Sequence, residues 1–227
     1  MKQFVRSTVN ETVCRISRSG PAPGRDRAGA AVMNTILSQR AMGVNVTGFR
    51  VAITEPLRQR PDVIAIGEVP DHDTVEAILR TADYGHLVIV TMHTRNVCDF
   101  IGRFLGFYAG HEYHQKLALL ASSLIGVVLQ ALMASSDESR YVLATELLVN
   151  NPASASYIRE GKIHMLRNLI RQGRSDGMHT LNQSLAQLIA ERRIALMSAF
   201  YVSYDDAELA QLTGKSAHSG RSDEAGA

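Results

Sequence analysis

Two short apolar runs constrain this chain more than anything else in it. "DVIAI" (62–66) and "HLVIVTM" (86–92) flank the stretch "GEVPDHDTVEAILRTADYG". Within that stretch Val75, Ile78, Leu79 and Ala82 recur at helical spacing, and Gly85 stands where such a helix would stop. A connector containing a helix is too long for a hairpin and suits a crossover, which needs about a dozen residues or more. The two strands are therefore expected to lie parallel, joined by a right-handed crossover. That unit makes the chain an α/β protein with a mainly parallel sheet.

The first strand delivers a carboxylate at its tip: in "RPDVIAIGEVPD" (60–71) Gly67 ends the apolar run and Glu68 follows. His93 and Thr94 stand at the tip of the second strand. In parallel sheets ligands bind beyond the carboxyl ends of the strands, so neighbouring strands would bring these three side chains to one edge. An acid there can hold a water of bound Mg²⁺ or orient an attacking water, and a histidine and a hydroxyl can sense a terminal phosphate. A competing reading makes Glu68 a cap for the helix that starts near Asp71, favoured by the helix dipole. Local pattern alone divides evenly between the two.

The rest of the chain organises around this unit. Residues 1–35 include "SRSGPAPGRDRAGAA", rich in Gly, Pro, Ser and Arg without periodicity, and are expected to be poorly ordered. A core spans 36–150, with helices over 96–108 and 111–133 and a strand, "RYVLATELLV" (140–149), near a sheet edge. A helical subdomain is expected over 151–212. Asn151 before Pro152 caps its first helix, and Gly173 and Thr180 act as stop and start signals. Residues 213–227 read as a disordered tail. A net charge of +2 asks for neither nucleic acid nor membrane. Cys14 and Cys98 fit no metal or disulfide pattern, and no signal-peptide-like or bilayer-spanning run occurs, so a cytoplasmic location is expected.

Other motifs carry less. His86 and His93, seven apart on one strand, face opposite sides. "HEYH" (111–114) has ligand-like spacing but no third ligand, and "RNLIRQGR" (167–174) is most simply a solvated face. "TGKS" (213–216) ends like a phosphate-binding loop, but Leu209 stands where that loop needs Gly.

Taken together, these segments resemble the secretion and type IV pilus traffic ATPases of the type II/IV secretion superfamily. "RQRPDVIAIGEVPDHDTVEAILRTADYGHLVIVTMHT" is similar to that family's Walker B and His-box region. "SQRAMGVNVTGF" (38–49) resembles its Gln-Arg-x-x-Gly segment, and "ELLVNNPASASYIREGKIHMLRNLIRQGRSDGMHTLNQSLAQLI" its helical C-terminal region. The resemblance covers about 34–205. It implies a truncated RecA-like ATPase core followed by an all-α subdomain. It implies Glu68 as Walker B acid, reaching Mg²⁺ through water, with His93 and Arg58 as further catalytic residues. It implies Gly67, Thr94, Gln39 and Arg40 at the nucleotide, and ATP with Mg²⁺ as cofactors. A hexameric ring, docked on an inner-membrane platform protein at the cytoplasmic side, is the implied assembly. Its work would be pilus assembly, retraction or protein secretion.

The departures are as informative. Pro70 replaces the Arg that follows Gly-Glu-x. Thr54 replaces one of two arginines before Walker B, while Arg58 retains the other. Ala155 replaces an Arg in the segment that matches the retraction motors. The family's phosphate loop has no match: "GPAPGRDR" (20–27) opens with Gly-Pro, but Asp26 stands where the Lys belongs. Only four of the 24 basic residues are Lys (Lys2, Lys116, Lys162, Lys215), none in a glycine-rich loop. The acidic Asp-box strand and an N-terminal sensor domain also lack a match. A chain that does not hydrolyse ATP alone is thus expected. A non-catalytic docking subunit and a decayed gene fragment are the rival readings.

Overall fold

The computed structural model describes residues 13–19, 35–41 and 48–215 of the chain. The strands are β1 (Val13–Ser19), β2 (Thr35–Ala41), β3 (Val63–Ile66), β4 (Leu87–Val90), β5 (Gly126–Ala134) and β6 (Tyr141–Val149). The helices are α1 (Phe49–Thr54), α2 (His72–Asp83), α3 (Val97–Phe104), α4 (Gly110–Ser123), α5 (Pro152–Arg159), α6 (Leu166–Gln172), α7 (Leu181–Ala190), α8 (Leu196–Val202) and α9 (Asp206–Thr213). The chain divides into two compact units, one of residues 1–93 and 104–112, the other of 94–103 and 113–227. The composition change near residue 150 does not coincide with this division.

The first unit holds a four-stranded sheet in the order β2-β1-β3-β4. β3 and β4 pair in parallel, Ile64 opposite Val88 and Ile66 opposite Val90, as the crossover spacing requires. β1 runs antiparallel to both β2 and β3, which sets β2 parallel to β3. Within the segment expected to be poorly ordered, residues 13–19 form β1, paired with β2 on one side and β3 on the other. The remainder of 1–34, and the tail from 216, lie outside the described residues. α2 forms between two clear signals. The Asp71 side chain caps its start, and Gly85, at φ +86°, takes the left-handed turn that ends it. Its face of Val75, Ile78 and Leu79 is buried, as are Ile53 of α1 and Ile64 and Ile66 of β3. β4 differs from a strand covered on both faces: Leu87 and Ile89 are 42% and 51% exposed.

The second unit corrects a second expectation. Residues 126–134 are strand, not the end of a helix. "GVVLQALMA" alternates with period two and pairs antiparallel with β6, Leu132 opposite Leu143 and Gly126 opposite Val149. Gly126 is required there, because a Cβ would lie 2.7 Å from the Leu148 carbonyl oxygen. One face of the hairpin, with Met133, Val142 and Ala144, packs into a core with Leu181, Leu185 and Leu188 of α7, Ile194, Ala199 of α8 and Leu209 of α9. The other face leaves Val128, Leu132, Tyr141 and Leu143 exposed. The caps foreseen for the helical region are present. Asn151 and Thr180 each form a capping box at the starts of α5 and α7, and Pro152 takes the first helical position.

The hairpin face predicts an asymmetric response to truncation. Leu185→Ala, at a fully buried position, should lower the stability of the second unit by about 2–5 kcal/mol. Leu132→Ala, on the exposed face of β5, should change it by less than about 0.5 kcal/mol. Urea titrations followed by circular dichroism check both, and equal losses would contradict the packing described.

Candidate functional site

The parallel register of β3 and β4 decides what meets at their tips. Ile66 and Val90 are paired, so Gly67 stands level with Thr91, and Glu68 and His93 follow on the same edge of the sheet. Two contacts tie the tips together. The Thr91 amide donates to the Ile66 carbonyl at 3.0 Å, and the Thr91 hydroxyl donates to the Gly67 carbonyl. Thr91 was not singled out from sequence; its place at the end of a strand that follows Val90 is the only signal for it. Glu68 and His93 are both exposed. Thr94 belongs to the second unit and follows His93 directly in the chain.

The competing reading of Glu68 is answered by its neighbour. Asp71 is the residue that caps α2: its Oδ1 accepts from the Thr74 amide at 2.8 Å and from the Thr74 hydroxyl at 2.6 Å. Both bonds that a capping side chain supplies are thus made by Asp71, and Glu68 lies three residues before the cap. An exposed carboxylate at a strand tip with the helix already capped is free of that structural duty.

The other residues named from sequence spread over the first unit. Gln39 and Arg40 lie near the C-terminal end of β2, two strands from β3. By backbone register Gln39 is level with Arg15 and, beyond it, with Ala65. Because β2 runs parallel to β3, the end of β2 reaches the same sheet edge as Glu68, about 10 Å away at a strand spacing of about 4.8 Å. Arg58 is exposed in the 3₁₀ turn of Glu55–Gln59, ahead of β3. Among the described residues no three His, Cys, Asp or Glu side chains come together in a group that could hold a metal ion. Glu68 is the exposed carboxylate at the strand tips, and no glycine-rich loop bearing a Lys occurs in the sequence given.

The second unit contains a buried polar assembly that sequence reasoning missed. Glu146 of β6, 3% exposed, accepts from the Tyr204 hydroxyl at 2.5 Å, the Val97 amide at 2.9 Å and the Leu181 amide at 3.3 Å. Burial, together with the bond to Glu146, pushes the Tyr204 hydroxyl far above its ordinary pKa. The Arg167 guanidinium stacks 4.9 Å from the centre of the Tyr204 ring and donates to Asp205 at 2.5 Å and Glu208 at 3.2 Å. A signal existed: in "YVLATELLV" Glu146 shares the alternation of Val142, Ala144 and Leu148, a charge in phase with the core.

Comparison with known proteins bears on the family of the chain. The family pattern of the type II/IV secretion system proteins matches residues 33–220. The protein designated YggR of Escherichia coli is 36% identical over 164 residues, covering 72% of this chain and 50% of that protein. The type IV pilus ATPase PilU of Pseudomonas aeruginosa is 34% identical over 164 residues, covering 72% of this chain and 43% of that one. The crystal structure of the pilus retraction motor PilT with bound ADP superposes with a TM-score of 0.68 at 35% identity, covering 74% of this chain and 47% of the motor. The chain spans about half the length of the relatives it matches.

The division of labour between Asp71 and Glu68 is testable by stability alone. Asp71→Ala should cost about 1 kcal/mol through loss of the α2 cap. Glu68→Ala should shift stability by no more than about 0.5 kcal/mol. Thermal unfolding of both variants checks this, and a larger loss at Glu68 than at Asp71 would return Glu68 to a structural role.

Proposed function

The chain belongs to the type II/IV secretion system protein family, with the α/β fold of a RecA-like ATPase core, and from that premise we propose that it serves a type IV pilus or secretion machine as a non-hydrolysing member. The observation that carries this reading is the strand-tip edge: Glu68 and His93 stand where parallel strands present ligand-binding groups, yet the chain has no Lys-bearing glycine-rich loop beside them. In this reading Glu68 is the acid of a nucleotide site, and His93, with Thr94 next to it, belongs to the phosphate side. Gln39 and Arg40, which the backbone register of β2 brings toward the same edge, and Arg58, ahead of β3, are the further residues of this reading. Gly67 directly precedes the acid at the end of β3.

ATP and Mg²⁺ are the cofactors of this proposed ancestry. Phosphoryl transfer depends on positioning and on neutralising charge at the phosphates, and losing those contacts costs orders of magnitude in rate. The missing cradle therefore outweighs the retained acid. The work of the chain is then association, either with copies of itself or with longer members of the family in a ring, at the inner-membrane platform on the cytoplasmic side. No described helix is long and apolar enough to cross a membrane. Docking is the form this work takes in this reading.

A steady-state phosphate-release assay on the purified chain tests the reading. The expected rate equals that of the Glu68→Gln variant, within the background of the assay. Robust turnover that Glu68→Gln abolishes would overturn it, and would mean that the phosphates are held by a loop of unfamiliar sequence.

A further inference from the structure

Within the second unit, the outward face of the β5–β6 hairpin does not read as a solvated face. An antiparallel sheet with one side in water alternates apolar inward with polar outward. Here the outward positions are apolar as well: Val128, Leu132, Tyr141 and Leu143 are 57%, 59%, 59% and 46% exposed. No charged side chain occurs in β5, and the one charge of β6, Glu146, lies on the buried face. Leu132 pairs with Leu143, and the next pair on the same face is Gln130 with Thr145. The Thr145 hydroxyl already has a partner in His179 Nε2, at 2.8 Å. Ala134, the smallest side chain of the ladder's far end, stands beside Tyr141.

A face without charge offers nothing to an oppositely charged partner, and it meets no like charge when it faces itself. We propose that this face is the contact between two copies of the chain, packed sheet on sheet about a twofold axis that runs along the hairpin between its strands. Packed sheets keep their strand directions within about 30° of each other, which such an axis satisfies. It lays β5 of each copy over β6 of the other. Leu132 then meets Leu143 of the other copy, Gln130 meets the Thr145 hydroxyl, and Tyr141 settles over Ala134, large over small. The four exposed apolar side chains form a patch of roughly 400 Å² per copy, about half of what one partner brings to a standard interface. The dimer is accordingly weak, with a Kd on the order of 10–100 µM, and a dilute sample is monomeric. The small effect of Leu132→Ala on unfolding belongs to that dilute condition. The inference gives a surface to the self-association in the proposed function and rests on that reading only for the use made of it.

Sedimentation equilibrium of the full chain, over concentrations spanning that range, provides the test; it reads association alone, so the outcome of the phosphate-release assay does not bear on it. The parent should pass reversibly from monomer to dimer and no further, because a twofold contact closes on itself. Leu132→Lys and Leu143→Glu each bury an unpaired charge in the dimer and should each weaken it by about tenfold or more. An equimolar mixture of the two should recover association, since opposite charges then meet across the axis. Methyl signals of the parent give a readout that needs no variant: those of Val128, Leu132 and Leu143 should move with concentration, while that of the buried Leu185 stays. A parent that remains monomeric throughout overturns the proposal, and so does growth into open-ended aggregates. Association that both variants leave unchanged, a mixture that stays monomeric, or concentration-dependent methyl signals that exclude the hairpin face overturn it as well.

Discussion

The parallel pairing of β3 and β4 is the constraint on which the candidate site depends. A connection through α2 leaves both strands pointing the same way, so both tips emerge on one edge. Antiparallel pairing would put Glu68 and His93 at opposite ends of the sheet and dissolve the site. The pairing is reinforced beyond the strands themselves by the two bonds from Thr91 to Ile66 and Gly67. At the other end of the loop Asp71, rather than Glu68, accepts from the Thr74 amide at the start of α2. The acid is thereby left exposed at the tip, where a ligand and not the fold would determine its partners.

The second unit solves a different problem. Its hairpin buries one face on helices and keeps a carboxylate in that buried face. Glu146 is stabilised because three donors and two helix ends surround it, and breaking one such bond leaves a buried charge short of a partner. This concentrates the polar energetics of the unit in one place, linked through Tyr204 to Arg167 and the start of α9.

How much of this was legible in the sequence follows from the range of each signal. The strand–helix–strand unit, the stop at Gly85 and the caps at Asn151 and Thr180 are local patterns, and the structure has them where the pattern puts them. The apolar content of β5 continues that of α4 and so suggests helix, and only pairing with β6 makes its period-two alternation decisive. β1 was hidden in a stretch whose Gly, Pro and Arg suggest disorder, since a strand of seven residues bordered by such sequence declares itself only through its neighbours β2 and β3. The role of Asp71 as cap was within reach, the acid standing three residues before Thr74, but it was Glu68 that was weighed for that duty. The Glu146 assembly joins residues far apart in the chain, and nothing local announces that Val97, Leu181 and Tyr204 converge.

The acid and the histidine share one sheet edge because β3 and β4 are parallel. Inter-strand nuclear Overhauser contacts in the labelled chain test it most directly. Parallel strands should give contacts linking the amide of Thr91 with the α-protons of Ile66 and Gly67, and no close α-proton pairs between β3 and β4. Close α-proton pairs running in opposite directions, with Val63 near Val90, would show antiparallel strands and contradict it.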